Sequence, residues 1–298
     1  MNIPAVSTRE AYEKIFINNE VWLPAMRDIC ERHQLPADNL SRMTLGTHIV
    51  FGTQAFIIKL ICPIYVDNPF AEVSVLRQLQ GFPVPAILGD GVMDGWPYFI
   101  MSVIPGRPAA EVWSFLNYDQ QARIIRQLGA LIQQLHKAAV IHDVDTDWDH
   151  FLKERIHDSK SHHDVEGKDW DWLQAQIGNF HEPQYSSVFT HADLTDDHIF
   201  LTQENGLWNI SGVIDFGDAM NGHPFYELGV ALVCFTAGNP VLARLLMESY
   251  GLEFSANVNQ KLLKYCLLHR YMKMKELYNR YKVFRPQDLY AAMFGEEP

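Results

Sequence analysis

Glu204-Asn205-Gly206 stands between two apolar, β-rich runs, about 198–203 and 207–214. Asn-Gly accepts the positive backbone angles of a two-residue hairpin more readily than almost any other pair. The stretch therefore predicts a two-stranded ribbon, and a ribbon brings its two ends together. Here the ends carry His198 and Asp215, with Asp193 in the polar loop that leads in. The pairing predicts His198 and Asp215 side by side and Asp193 close to both.

The rest of the chain reads as strands first and helices second. Ser7 with Glu10 three residues on predicts a capping box opening a helical region to about His33, where Leu35-Pro36 ends it. Three short strands follow at about 40–44, 48–51 and 55–61, broken at Gly46 and at Gly52-Thr53-Gln54. Pro69–Gln80 has helical spacing. Two more strands fall near 86–92 and 98–103, around the turn Met93-Asp94-Gly95. Pro105-Gly106-Arg107-Pro108 punctuates the chain, so a boundary is expected there, with residues 1–104 and 105–298 as separate lobes. Beyond it Ile124, Ile125, Leu128, Leu131, Ile132 and Leu135 predict an amphipathic helix. The stretch 142–168 is rich in His and Asp and reads as a surface connection. About 225–294 reads as several helices. The expected fold is α+β: a small sheet lobe, then a larger, mainly helical one, around a cleft of the kind that binds ligands.

Charge narrows the partners. The formal net charge is −12, which repels nucleic-acid backbones and favours a cationic small molecule. No apolar run approaches the roughly 20 residues needed to cross a bilayer, and Met1-Asn2-Ile3-Pro4 lacks the pattern of a signal peptide. Cys30, Cys62, Cys234 and Cys266 are too far apart for close metal spacing and are expected to be reduced and buried, as in a cytoplasmic protein. Oligomeric state is not legible.

The ribbon residues suit one chemistry. Phosphoryl transfer to an alcohol needs a carboxylate to orient the hydroxyl and take its proton, metal-holding groups, and a cation for the phosphates. Thr190-His191-Ala192-Asp193-Leu194-Thr195-Asp196-Asp197-His198, followed by Ile214-Asp215-Phe216-Gly217, resembles the signature of aminoglycoside phosphotransferases and their protein-kinase-like relatives. The resemblance implies a protein-kinase-like fold using ATP or GTP with Mg²⁺ or Mn²⁺. It implies Asp193 as catalytic aspartate, His191 as the loop's brace, and His198 and Asp215 as metal ligands. His198 departs from the asparagine of most relatives, and its other reading is a histidine that only hydrogen-bonds within the loop; macrolide phosphotransferases share the histidine. Imidazole suits Mn²⁺ or Zn²⁺ better than Mg²⁺.

Phe56-Ile57-Ile58-Lys59-Leu60 resembles the strand carrying the kinase lysine, with Glu72 on the next helix as its partner and Asp67 as a competitor for that role. An ammonium among apolar strand residues needs such an anion. Thr44-Leu45-Gly46-Thr47-His48 resembles a phosphate-covering turn, in which Gly46 and Thr47 would meet the nucleotide. Tyr98–Gly106 resembles the linker in which Ser102 and Ile104 meet the adenine edge and Met101 lies behind the base. Glu20–Pro24, Pro83-Val84-Pro85, Trp96–Ser102 and Leu267-Leu268-His269 resemble the hygromycin B phosphotransferases, which makes a hygromycin-like aminoglycoside the leading substrate. Asp218 and Glu227 are then candidates to face its amines, or equally to be structural, since an acid at a helix N-terminus is favourable without any ligand. The other readings are a kinase for a macrolide, an amino sugar, homoserine or a choline-like alcohol, and a nucleotide-binding pseudokinase. Lys59, Asp193 and Asp215 argue against the last, and a missing Ala-Pro-Glu ending argues against a protein kinase. His157, His162 and His163 with Asp158 and Asp164 read as solvated side chains. Asp145, Asp147 and Asp149 read as surface or as an attraction for a polyamine. Tyr265, Tyr271 and Tyr278 read as packing.

Overall fold

The computed structural model describes residues 3–43, 46–65, 68–137, 141–144, 146–182 and 185–295. The chain divides into two units, Met1–Ile104 and Pro105–Pro298.

The first unit opens with α1 (Arg9–Phe16) and α2 (Asn19–Arg32). The cap of α1 is Thr8, whose Oγ1 accepts the Ala11 N–H, so the helix starts one residue after the expected Ser7 box. The helical region also breaks at Ile17, and Asn18 caps α2 by accepting the Glu20 N–H. Strands β1 (Ser41–Met43), β2 (Ile49–Gly52) and β3 (Phe56–Leu60) precede α3 (Ala71–Gln78); β4 (Ile87–Met93) and β5 (Trp96–Ser102) follow it. All five strands make one antiparallel sheet in the order β1-β2-β3-β5-β4. One core joins α1 and α2 to this sheet through Tyr12, Trp22, Met26 and Ile29 against Phe51, Ile58, Trp96 and Ile100. Trp22 and Trp96 meet edge to face at 5.2 Å. Burying rings of this size is worth several kcal/mol in total, on the order of 2–3 kcal/mol each.

The second unit begins with β6 (Arg107–Pro108), α4 (Ala109–Val112) and the long α5 (Tyr118–Lys137). Next come α6 (Trp148–His163), inside the stretch 142–168 whose composition suggested a surface connection, and α7 (Gly167–Ile177). α6 hides from sequence reading because its inward residues are few and mixed: Trp148, Leu152, Ser159 and His163. β7 (Val188–Thr190) leads into the polar loop. The ribbon is β8 (Ile199–Glu204) and β9 (Leu207–Val213), with Asn205 at φ +52° and Gly206 at φ +78° in the turn. β8 also pairs with β6, and β10 (Met220–Gly222) pairs with β7. The chain ends in α8 (Pro224–Thr236), α9 (Pro240–Tyr250), α10 (Ala256–Leu268), α11 (Met274–Tyr281) and α12 (Leu289–Phe294). α8 is apolar all round and buried almost throughout, as a central helix must be. All four cysteines are free and buried. No helix among the described residues is long and apolar enough to cross a membrane.

Candidate active site

In the second unit the base of the ribbon organises the polar loop. Ile199 pairs with Val213, and the Ile214 N–H donates to the His198 carbonyl at 3.0 Å. His198 and Asp215 thus leave the ribbon beside each other. The His198 Nδ1 lies 2.7 Å from the Asp193 carbonyl oxygen. A carbonyl only accepts, so Nδ1 carries the proton, and in the neutral ring Nε2 keeps its lone pair. That Nε2 faces Asp215, 3.7 Å from its Oδ2. On the other side Nδ1 is 3.5 Å from the Asp193 carboxylate. The imidazole stands between the two aspartates.

His191 is fixed in the opposite sense. Its Nε2 donates to the Ile214 carbonyl at 2.9 Å, and its Nδ1 accepts the Asp193 N–H at 3.2 Å. It links the loop to the strand end before Asp215. Two residues here hold left-handed backbone without being glycine: Ala192 at φ +63° and Asp215 at φ +65°. Such conformations persist only where the surroundings enforce them, and they cluster at functional sites. Burial pushes the Asp193 carboxyl up to about 7; His198 opposes this, and the Asp218 and Asp215 carboxylates add to it.

The donor set suits a divalent cation only in part. An imidazole lone pair and a carboxylate oxygen face one another. Among the described residues no group of three or more His, Cys, Asp or Glu side chains could hold a metal alone. Any further ligands would have to come from phosphate or water, which is how Mg²⁺ is usually held.

In the first unit Lys59 sits on β3, opposite Val50 and Phe99. Its Nζ is 2.7 Å from Glu72 Oε2 on the first turn of α3, and both side chains are almost wholly buried. A buried pair of this kind adds little stability over an apolar one. Gly46 is left-handed at φ +94°, and the Thr47 carbonyl accepts the Tyr12 hydroxyl at 2.7 Å. Met101 is buried in β5, and Ser102 and Ile104 are partly exposed. The Ser102 hydroxyl accepts the Ala86 N–H. Thr44, Leu45, Asp67 and Asp145 lie outside the described residues.

Several expectations need correction. Glu227 does not face outward: it is 1% exposed, and its Oε2 accepts the Ala192 N–H at 2.8 Å. Nor is His163 solvated, and His162 is only partly exposed. His163 is buried with Nε2 on the Leu267 carbonyl, and His162 bonds the Met272 carbonyl. Asp218 is partly exposed but already paired: Arg270 Nη2 donates to its carbonyl at 2.7 Å and lies 3.4 Å from its carboxylate. Asp147 caps α6 and, with Trp148, Asp149, Glu182 and Tyr185, lines a recess of about 790 Å³. Sequence reading missed His269, which is fully buried and donates from Nε2 to the Ala192 carbonyl at 3.1 Å. The sequence signal available for it was its place in Leu267-Leu268-His269.

Residues 55–256, more than half of the chain, match the model of the phosphotransferase enzyme family. The chain belongs to that family. It is therefore a small-molecule phosphotransferase, and its protein-kinase-like fold agrees with solved structures. One similar structure is the GDP complex of wild-type aminoglycoside 2'-phosphotransferase-IIIa, with TM-score 0.67, 16% identity, and coverage of 90% of this chain and 94% of that one. Another is aminoglycoside phosphotransferase APH(3'')-Id from Streptomyces rimosus with ADP and streptomycin, at TM-score 0.61, 15% identity, and coverage of 84% and 99%. A third is an aminoglycoside-3'-phosphotransferase of type VIII, at TM-score 0.59, 19% identity, and coverage of 83% and 97%. No curated protein matches the chain.

Proposed function

We propose that this phosphotransferase moves the γ-phosphoryl group of ATP or GTP to a hydroxyl of an aminoglycoside, with a hygromycin-like compound as the leading substrate. The observation that carries the reading is the His198 ring set between Asp193 and Asp215, with its proton toward the loop and its lone pair toward Asp215. Asp193 orients the substrate hydroxyl and takes its proton. Its raised pKa brings it toward that of a base that is useful near neutrality. His198 and Asp215 would hold a divalent cation, Mg²⁺ or Mn²⁺, which would neutralise phosphate charge. Lys59, steadied by Glu72, meets the α- and β-phosphates, and Gly46 and Thr47 belong to the turn over them. Ser102 and Ile104 present backbone to the base, with Met101 behind it. His191 holds the loop.

Support for an aminoglycoside comes from the net charge of −12 and from similar folds solved with kanamycin and streptomycin. The hygromycin choice rests on the resembling motifs alone. A protein that keeps a buried Lys59–Glu72 pair, Asp193 and Asp215 is built to turn over rather than only to bind.

The test is a coupled nucleotide-consumption assay with ATP and GTP, with Mg²⁺ and Mn²⁺, against hygromycin B, kanamycin, streptomycin, a macrolide, homoserine and choline. Turnover with hygromycin B or another aminoglycoside is expected. Turnover only with the macrolide or the amino alcohols would replace the substrate class. Asp193→Asn is expected to lower kcat at least ~10²-fold, the usual scale for losing a positioned base, with an unchanged melting curve. Native turnover in that variant would overturn the mechanism.

A further inference from the structure

Ala192 separates His191 from Asp193 in a conformation that opposes its own Cβ. Both of its backbone polar groups are taken by buried side chains distant in sequence. Its N–H goes to Glu227 on α8, and its carbonyl to His269 just beyond α10. His269 has no freedom to swap roles. Its Nδ1 accepts the Tyr271 N–H at 3.3 Å, so Nε2 must be the donor. The ring stacks on Tyr226 at 4.4 Å, and the Tyr226 hydroxyl accepts the Arg270 N–H at 3.0 Å.

Arg270, the next residue, reaches another segment. Its guanidinium holds the Asp218 carbonyl and lies beside the Asp218 carboxylate. Asp218 ends the short 3₁₀ turn that begins after Asp215, itself left-handed. Two consecutive residues therefore grip two strained segments, one carrying Asp193 and the other Asp215. The ribbon alone does not fix the first of these, because Asp193 lies six residues before β8.

We propose that His269 and Arg270 are positioning residues for phosphoryl transfer, setting the separation of Asp193 and Asp215 by pinning Ala192 and Asp218. The inference rests on the roles given above to those two aspartates. Neither His269 nor Arg270 need touch substrate.

The test compares kcat, KM for nucleotide, and the metal concentration for half-maximal activity in H269A, H269Q, R270A and the double variant A192G/H269A, each with a melting curve. H269A is expected to lose roughly 10-fold or more in kcat, the scale of releasing one left-handed alanine, with KM for nucleotide little changed. H269Q keeps an N–H for the Ala192 carbonyl and should recover most of it. Glycine adopts φ near +63° without the Cβ penalty, so A192G should also repair H269A in part. R270A should raise the half-maximal metal concentration several-fold. Native kcat in folded H269A overturns the proposal, as does a loss that neither H269Q nor A192G repairs. Should H269A fail to fold, H269N takes its place: it withdraws the amide from Ala192, and native kcat there is equally fatal. The Asp193→Asn variant keeps the two readings apart. If it is inactive while H269A is native, only this inference fails; if it is fully active, the mechanism itself fails.

Discussion

An imidazole between two carboxylates has one free lone pair, and His198 directs it at Asp215 because the Asp193 carbonyl claims the other nitrogen. An asparagine at this position would offer an oxygen, a harder donor that favours Mg²⁺ over softer ions. His198→Asn is therefore expected to remain active and to shift the ratio of Mg²⁺- to Mn²⁺-supported turnover toward Mg²⁺ several-fold. An unchanged ratio in a two-metal titration would count against ligation by His198. The neighbourhood of these residues follows in outline from the hairpin, whose Asn-Gly turn returns the chain toward position 198, but a register shift between Phe200 and Leu201 sets Ile199 opposite Val213 rather than Gly212, and the turn does not announce it. Nor does it announce the proton's place on the ring, because that depends on a carbonyl whose direction is set by the left-handed turn at Ala192.

Among elements, the packing of α5 on α9 is the tightest test of the helical unit. Gly129 lies on the buried face of α5, and a Cβ there would sit 2.7 Å from Ser249 Cβ, 2.8 Å from the Leu246 carbonyl oxygen and 2.9 Å from the Tyr250 nitrogen. Alanine is favoured over glycine in a free helix by ~1 kcal/mol. Two of these contacts are backbone and cannot rotate away. Gly129→Ala should therefore be net destabilising by about 1–2 kcal/mol, overpacking outweighing propensity, as read from urea unfolding. Equal or greater stability would show that α9 yields. The amphipathic stripe of α5 announced this helix in the sequence, and Asn-Gly announced the ribbon. α6 gave no such sign: its inward residues include Ser159 and His163, which are buried through hydrogen bonds to backbone carbonyls rather than through apolar pattern.

For the whole molecule, buried titratable groups set how stability varies with acidity. Burial holds His136 and His269 down to about 3 and His163 and His223 down to about 4. Unfolded histidine titrates near ~6.5. Between those limits the unfolded chain binds protons that the folded protein refuses, so these four histidines withdraw stability as pH drops below about 6.5. Glu227 works the other way. Burial raises it to about 7, so the folded protein takes up its proton before the unfolded chain does, and its contribution grows as pH falls from about 7 toward ~4.5. Glu227→Gln keeps an acceptor for Ala192 and removes that titration. Its urea midpoint should decline more steeply than the native one between about pH 7 and pH 5; parallel declines would refute the assignment. By itself the sequence determined the strand-then-helix order, the ribbon and the identity of the polar residues at its base, because periodicity, turn chemistry and short spacings are local properties. Only the tertiary structure decided that Glu227 turns inward, that α6 forms, and that His269 closes on Ala192. Each of these depends on a buried hydrogen bond or on packing against residues far along the chain, and local composition carries no trace of such partners.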